Sequence, residues 1–142
     1  MTTTERREKS EALILFSRLP IGSETKTRLS SLLDEGQREA LHRSFWADAF
    51  ATALELQDRA DIFLYWTGSG RPEVYSDLIP SAFRLREQRG RTLGDRMLAA
   101  ARGAFEAGYE RAAIVGTDIP HMRPDSICRA FNLLAESDVV LG

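Results

Sequence analysis

Apolar residues in this chain come in short runs separated by longer amphipathic stretches. Ala12-Leu13-Ile14-Leu15-Phe16 is continuous and apolar, which predicts a strand covered on both faces. A polar loop follows from Ser17 to about Ser31, and then a helix over 37–57. Leu41, Phe45, Ala49, Ala53 and Leu56 recur at helical spacing and predict its inner face. Asp61 to Trp66 reads as a second strand, and 67–80 as a loop rich in Gly and Pro. Phe83 to Gln88 alternates weakly and predicts a short strand. Thr92, with Asp95 three residues on, predicts a helix start, because a capping side chain can accept from the third amide of the helix. Leu93, Met97, Ala100, Ala104 and Gly108 continue that helix's inner face, and Gly108 ends it. Ala112 to Gly116 is a further strand. Pro124 opens a helix lined by Ile127, Phe131 and Leu134, proline being favoured in a first turn. Asp138-Val139-Val140-Leu141 predicts a last strand.

Strands alternating with helices imply an α/β fold, a Rossmann-like and largely parallel sheet with helices on both faces. Residues 1–10 read as a flexible polar tail and 11–142 as a single domain. The predicted last strand has no element after it to cover it. An apolar strand left open favours self-association, so a homo-oligomer is expected rather than a monomer.

Composition narrows the class. The 142 residues suit one domain, and 43% hydrophobic with 28% charged residues excludes wholesale disorder. A net charge of −2 argues against a general nucleic-acid binder, but leaves room for a local basic pocket. Cys128 is the single cysteine, so no intrachain disulfide forms, and its place in a helical pattern beside Ile127 reads as structural. The first ten residues lack the apolar core of a leader peptide, and no apolar run reaches the length of a membrane span. A cytoplasmic protein is expected.

The candidate chemistry lies where strands end. Val115-Gly116-Thr117-Asp118-Ile119-Pro120 is an apolar run that stops at a carboxylate followed by proline. The carboxyl edge of an open α/β sheet is where ligands bind, and an Asp there suits a divalent cation. Capping of the following helix is an equally open reading of Asp118. The loop after the first strand leaves the same edge. It carries Arg18, Gly22, Lys26 and Arg28, with Thr25, Thr27 and Ser30 among them. Ammonium and guanidinium groups there would neutralise phosphates, and Gly22 would permit a tight turn or close backbone approach. The spacing is not that of a Walker loop, and a solvated loop with soluble cations is the alternative. Gln88, Gly90, Arg91, Gly94 and Arg96 form a second polar segment leading into a helix, whose amino end attracts anions. His121 reads as an exposed loop residue, His42 carries no assigned chemistry, and Trp46 and Trp66 read as packing residues.

Together these pieces resemble a family. Ala12 to Leu29 looks like the opening of the bacterial transferases called radical-SAM/selenodomain-associated transferase 1. These belong to the nucleotide-diphospho-sugar transferase superfamily with the glycosyltransferase-A fold. Gln88 through Met97 resembles the family's second block, Gly116 to Pro120 its third, and Asp138 to Gly142 the start of its fourth. Phospholactate and molybdenum-cofactor guanylyltransferases are more distant relatives. The resemblance implies a nucleotide or nucleotide-sugar over the first loop, with Lys26 and Arg28 facing its phosphates. It also implies Asp118 as a ligand for Mg2+ or Mn2+. The metal and the basic loop would stabilise charge on phosphate oxygens during glycosyl or nucleotidyl transfer. Two departures stand out. The first loop reads Pro20-Ile21-Gly22-Ser23 where the family has Pro-x-Pro-Gly, and family members continue past the position of Gly142 with a Pro-x-x-Asp-Gly-Gly-Tyr type segment. A non-catalytic nucleotide-binding or assembly module is therefore the rival expectation. A receiver-like domain is disfavoured, because Ser17-Arg18 is basic where such domains need acids.

Overall fold

The computed structural model describes residues 8–142. Four parallel strands form one sheet in the order β3-β2-β1-β4: β1 (Glu11–Arg18), β2 (Ala60–Thr67), β3 (Arg84–Glu87) and β4 (Arg111–Gly116). The helices are α1 (Glu35–Leu54), α2 (Leu93–Glu106) and α3 (Pro124–Leu134). The fold is therefore α/β, with a parallel sheet between helices, as the alternation predicts.

β1 is buried along seven of its eight residues, and side-chain alternation divides them between two cores. Leu13 and Leu15 face Trp46, Phe50 and Ala53 of α1 and Ile127 and Phe131 of α3. Ala12, Ile14 and Phe16 face Ala100 and Ala104 of α2, together with Phe63 and Tyr109. Leu13 pairs in register with Ile62 on one side and Ala113 on the other. The chain runs outward from β1 to β2 and β3, then returns to place β4 on the opposite flank of β1. The loops after β1 and β4 therefore leave adjacent strands at the point where strand order reverses, the usual ligand crevice of such sheets.

Several local differences from the sequence reading have clear causes. α1 begins at Glu35 rather than Gln37, because Asp34 and Gln37 form a reciprocal capping box. Its buried stripe is Arg38, His42, Trp46, Phe50 and Ala53, one residue round from the predicted face, and Leu41, Phe45 and Ala49 are only half-buried. Leu93 and Met97 of α2 are exposed, and the residues that helix buries are Ala100 and Ala104. The predicted strand at Asp138–Leu141 is irregular: among the described residues β4 pairs only with β1, and an unpaired run has no ladder to hold it. Residues 1–7 of the expected tail lie outside the described residues. The amides of Glu8 and Lys9 donate to Asp61 Oδ2. No helix among the described residues is long and apolar enough to cross a membrane.

Phe131 has no exposed surface and joins α3 to the larger core. Phe131→Ala should destabilise the domain by about 3–5 kcal/mol, the lost transfer energy plus a cavity. Urea denaturation measures this, and a loss under about 1 kcal/mol would mean that α3 is not part of the cooperative core.

Candidate functional site

β1 delivers Ser17 and Arg18 to the carboxyl edge of the sheet, and the chain then turns back over that edge. Leu19 N donates to Thr67 O at 2.8 Å, and Leu19 and Pro20 are fully buried, which fixes the start of the loop. Ile21 packs partly buried against the larger core, and beyond it the loop is held by hydrogen bonds from α1. The buried Arg38 guanidinium donates to three loop carbonyls, those of Thr25 (3.2 Å), Leu33 (2.8 Å) and Gly22 (2.9 Å). A guanidinium suits this task because its donors are fixed in a planar fork. Gly22 is needed for a close approach to α1: a Cβ there would lie 2.6 Å from Glu35 O.

His42 lies one turn after Arg38 and supports the same loop. Its Nδ1 is 2.5 Å from Thr25 Oγ1, and its Nε2 is 3.1 Å from Ser17 Oγ. The tautomer follows from the partners. Trp46 Nε1–H can only donate, and does so to Ser17 Oγ at 2.7 Å, while the Ser17 hydroxyl spends its proton on Arg18 O at 2.7 Å. Nε2 must therefore carry a hydrogen and donate to Ser17, and Nδ1 accepts from Thr25. This is a neutral ring. Burial, and then the nearby Lys26 ammonium, lower the His42 pKa from 6.5 to about 4.

On this support Lys26 adopts left-handed backbone angles, φ 52° and ψ 35°, uncommon for a residue with a side chain. Its stem crosses the Phe45 ring, with Nζ 4.7 Å from the centroid. Nζ donates to Asp118 Oδ1 at 2.7 Å, joining residues 92 positions apart. Asp118 stands just beyond β4, which Thr117 anchors through a 3.3 Å bond from its amide to Phe16 O. The basic loop and the strand-end acid thus meet across the β1–β4 crevice. Asp118 does not cap α3, whose start shows no side-chain cap.

A cleft of about 890 Å³ opens at this edge, within the usual size of small-molecule sites. Of the residues singled out from sequence, Arg18, Lys26, Arg28, Gln88, Arg96 and Asp118 line it. Gly22 does not, because its close approach is to α1. His121 is exposed and outside the lining. Gln88 is engaged by the protein: Nε2 donates to Ser17 O (3.3 Å) and Tyr65 O (3.0 Å), and Oε1 accepts from Arg96 Nη1 (3.4 Å). Arg96 Nε also donates to Gly90 O at 3.0 Å, and Gly90 has a positive φ of 139°. A Cβ at Gly90 would come within 2.9 Å of Arg96 N. Arg91, named in the second polar segment, also lines the cleft, whereas sequence reasoning missed Arg38, His42 and Ser17. For the first two a signal existed: polar residues at i and i+4 in line with Trp46 and Phe50.

A nucleotide-diphospho-sugar transferase fold fits this sheet order and cleft. The structure superimposes with a TM-score of 0.81 on a "putative nucleotide-diphospho-sugar transferase" from Desulfovibrio desulfuricans G20, at 26% sequence identity. The match covers 89% of this chain and 55% of that one, so the chain spans about half the length of that protein. Residues 50–142 match the family described as "Uncharacterized protein conserved in bacteria (DUF2064)", and the chain belongs to that family. No curated protein matches at a significant level.

The neutral His42 sets a pH dependence. Its folded pKa, about 4, lies below the ordinary 6.5, so the unfolded chain binds the proton more readily. Its contribution is whole above pH 6.5 and is lost as pH falls towards about 4. Between about pH 7.5 and about pH 5 the wild type should lose up to about 2 kcal/mol more stability than His42→Gln, measured from urea midpoints. Parallel pH profiles for the two proteins would refute the buried neutral ring.

Proposed function

We propose that the cleft binds a nucleotide through its phosphates together with a divalent cation. On this reading the chain serves a metal-dependent transferase of the nucleotide-diphospho-sugar superfamily, moving a glycosyl or nucleotidyl group from a nucleotide donor. The radical-SAM/selenodomain-associated transferase 1 family is the finer assignment within the same proposal. The observation that carries it is the Lys26–Asp118 contact, made at 2.7 Å in a cleft otherwise rich in arginine. Lys26 and Arg28 would grip phosphate oxygens, and Arg18 and Arg96 would add charge from either side.

A metal fits the residues present only as part of a nucleotide complex. Among the described residues there is no group of three or more His, Cys, Asp or Glu able to hold a metal ion alone. Asp118 offers one carboxylate with its side chain 63% exposed, a hard oxygen ligand of the kind Mg2+ and Mn2+ take. Mg2+ commonly uses one or two carboxylates and completes its shell with water and substrate phosphates. Asp118 would hold the cation, and the cation would neutralise charge on the phosphates during transfer. The Lys26–Asp118 pair must open for this, and a pair with one exposed partner contributes only about 0–1 kcal/mol.

The same absence of a larger ligand cluster favours a second reading, a nucleotide-binding module without catalysis. Both readings predict that nucleotide with Mn2+ raises the melting temperature, by about 2.7 kcal/mol of stabilisation at a hundredfold excess over Kd. Asp118→Ala should remove the metal-dependent part, and Lys26→Ala should weaken nucleotide binding about tenfold, as for a lost charge-assisted hydrogen bond. Undiminished Mn2+-dependent binding to Asp118→Ala in a titration calorimeter would take Asp118 out of the site. Slow metal-dependent breakdown of bound donor, followed by phosphorus NMR, would separate the transferase from the module.

A further inference from the structure

Within the nucleotide reading, the donor itself can be narrowed from the charge arrangement around the cleft. Five cationic side chains line it, Arg18, Lys26, Arg28, Arg91 and Arg96, against two carboxylates, Glu24 and Asp118. Both carboxylates are engaged. Glu24 accepts from the amide and hydroxyl of Ser69, and Asp118 from Lys26. Arg96 donates to the neutral acceptors Gly90 O, Thr67 Oγ1 and Gln88 Oε1, and so keeps its full charge. Among the described residues no carboxylate pairs with Arg18, Arg28 or Arg91. Five against two leaves three uncompensated positive charges around one cleft, in a chain whose net charge is −2.

The excess lies on two banks. Arg18, Lys26 and Arg28 come from the end of β1 and its loop, while Arg91 and Arg96 come from the segment entering α2. Gln88 ties the banks together, since its amide bonds the end of β1 and Arg96 at once. A ligand that offsets this field needs charge enough to reach both. The diphosphate of a nucleotide sugar ionises once per phosphate, about two charges, and both phosphates are capped. A terminal phosphate adds a second ionisation near neutrality, which takes a nucleoside triphosphate to about four. A divalent cation at Asp118 raises the positive excess further, and so widens the preference.

From this arrangement we infer that the ligand of the cleft is a nucleoside triphosphate rather than a nucleotide sugar. Arg91 and Arg28, on opposite banks, hold the charge that distinguishes the two. The inference rests on the nucleotide reading above, and one experiment tests them separately. The chain is titrated calorimetrically, with Mn2+ present, with ATP, GTP, CTP and UTP, the matching diphosphates, and UDP-glucose and GDP-mannose. One triphosphate should bind at least tenfold tighter than the diphosphate or sugar nucleotide of the same base, with the steeper loss of affinity as salt rises. Arg91→Ala, an exposed change that leaves the cores intact, should weaken the triphosphate more than the sugar nucleotide and so narrow that gap. A sugar nucleotide binding as tightly as the triphosphate would overturn this inference and leave the nucleotide reading standing. Binding of none of these probes would overturn both.

Discussion

The site depends on a buried guanidinium. The loop over the end of β1 has to present Lys26 and Arg28 to the cleft, so apolar burial anchors its first residues, Leu19, Pro20 and Ile21. Past that point the backbone carbonyls of Gly22, Thr25 and Leu33 need donors that do not drift. Arg38 supplies all three from one planar group whose position is fixed by α1. His42 completes the support one turn later. Because His42 is buried, and Lys26 stands close by, it does so as a neutral ring, which its low pKa provides. The uncommon backbone of Lys26 persists because its surroundings over-determine it, with bonds to Thr25 on one side and the Asp118 contact on the other.

This explains what could be read from the chain and what could not. The run Ala12–Phe16 has one physical meaning, a strand covered on both faces, and Val115–Pro120 ends where such a strand must leave the sheet. Those patterns are local. The inner face of α1 was misjudged because hydrophobic spacing registers transfer from water, whereas Arg38 and His42 are buried to satisfy loop carbonyls and hydroxyls. The run Asp138–Leu141 has strand composition, but a strand exists only when paired, and pairing is a property of distant residues. Gln88 and Arg96 could be placed near a ligand from their motif. That they bond to each other and to the ends of two strands needed coordinates. The meeting of residues 26 and 118 follows from β4 lying beside β1, which no local spacing encodes.

The two ends of the sheet use charge in opposite ways. At the amino end, Glu11 is buried with Arg59 Nε at 2.7 Å and Arg111 Nη1 at 3.7 Å, and Asp61 accepts from Tyr109 and two backbone amides. Those acids are enclosed and answered within the protein, as buried charges must be. In the cleft at the carboxyl end, among the described residues, no carboxylate pairs with Arg18, Arg28 or Arg91, and Lys26 holds an exposed acid. A fold that can match its charges at one end has the means to match them at the other. On the proposed reading, the nucleotide supplies the missing anion.

The Lys26–Asp118 contact fits that view in a particular way. A metal–phosphate complex presents one group of each sign, as the contact does. On the proposed reading the phosphate would answer Lys26 and the cation Asp118, so a single ligand would replace both halves of the pair together. Neither half would then be left without an opposite charge. Free metal would have to take Asp118 from Lys26 without compensation, and free phosphate would leave Asp118 facing an anion. On that reading the arrangement would favour the complex over either component by the sign of the charges alone.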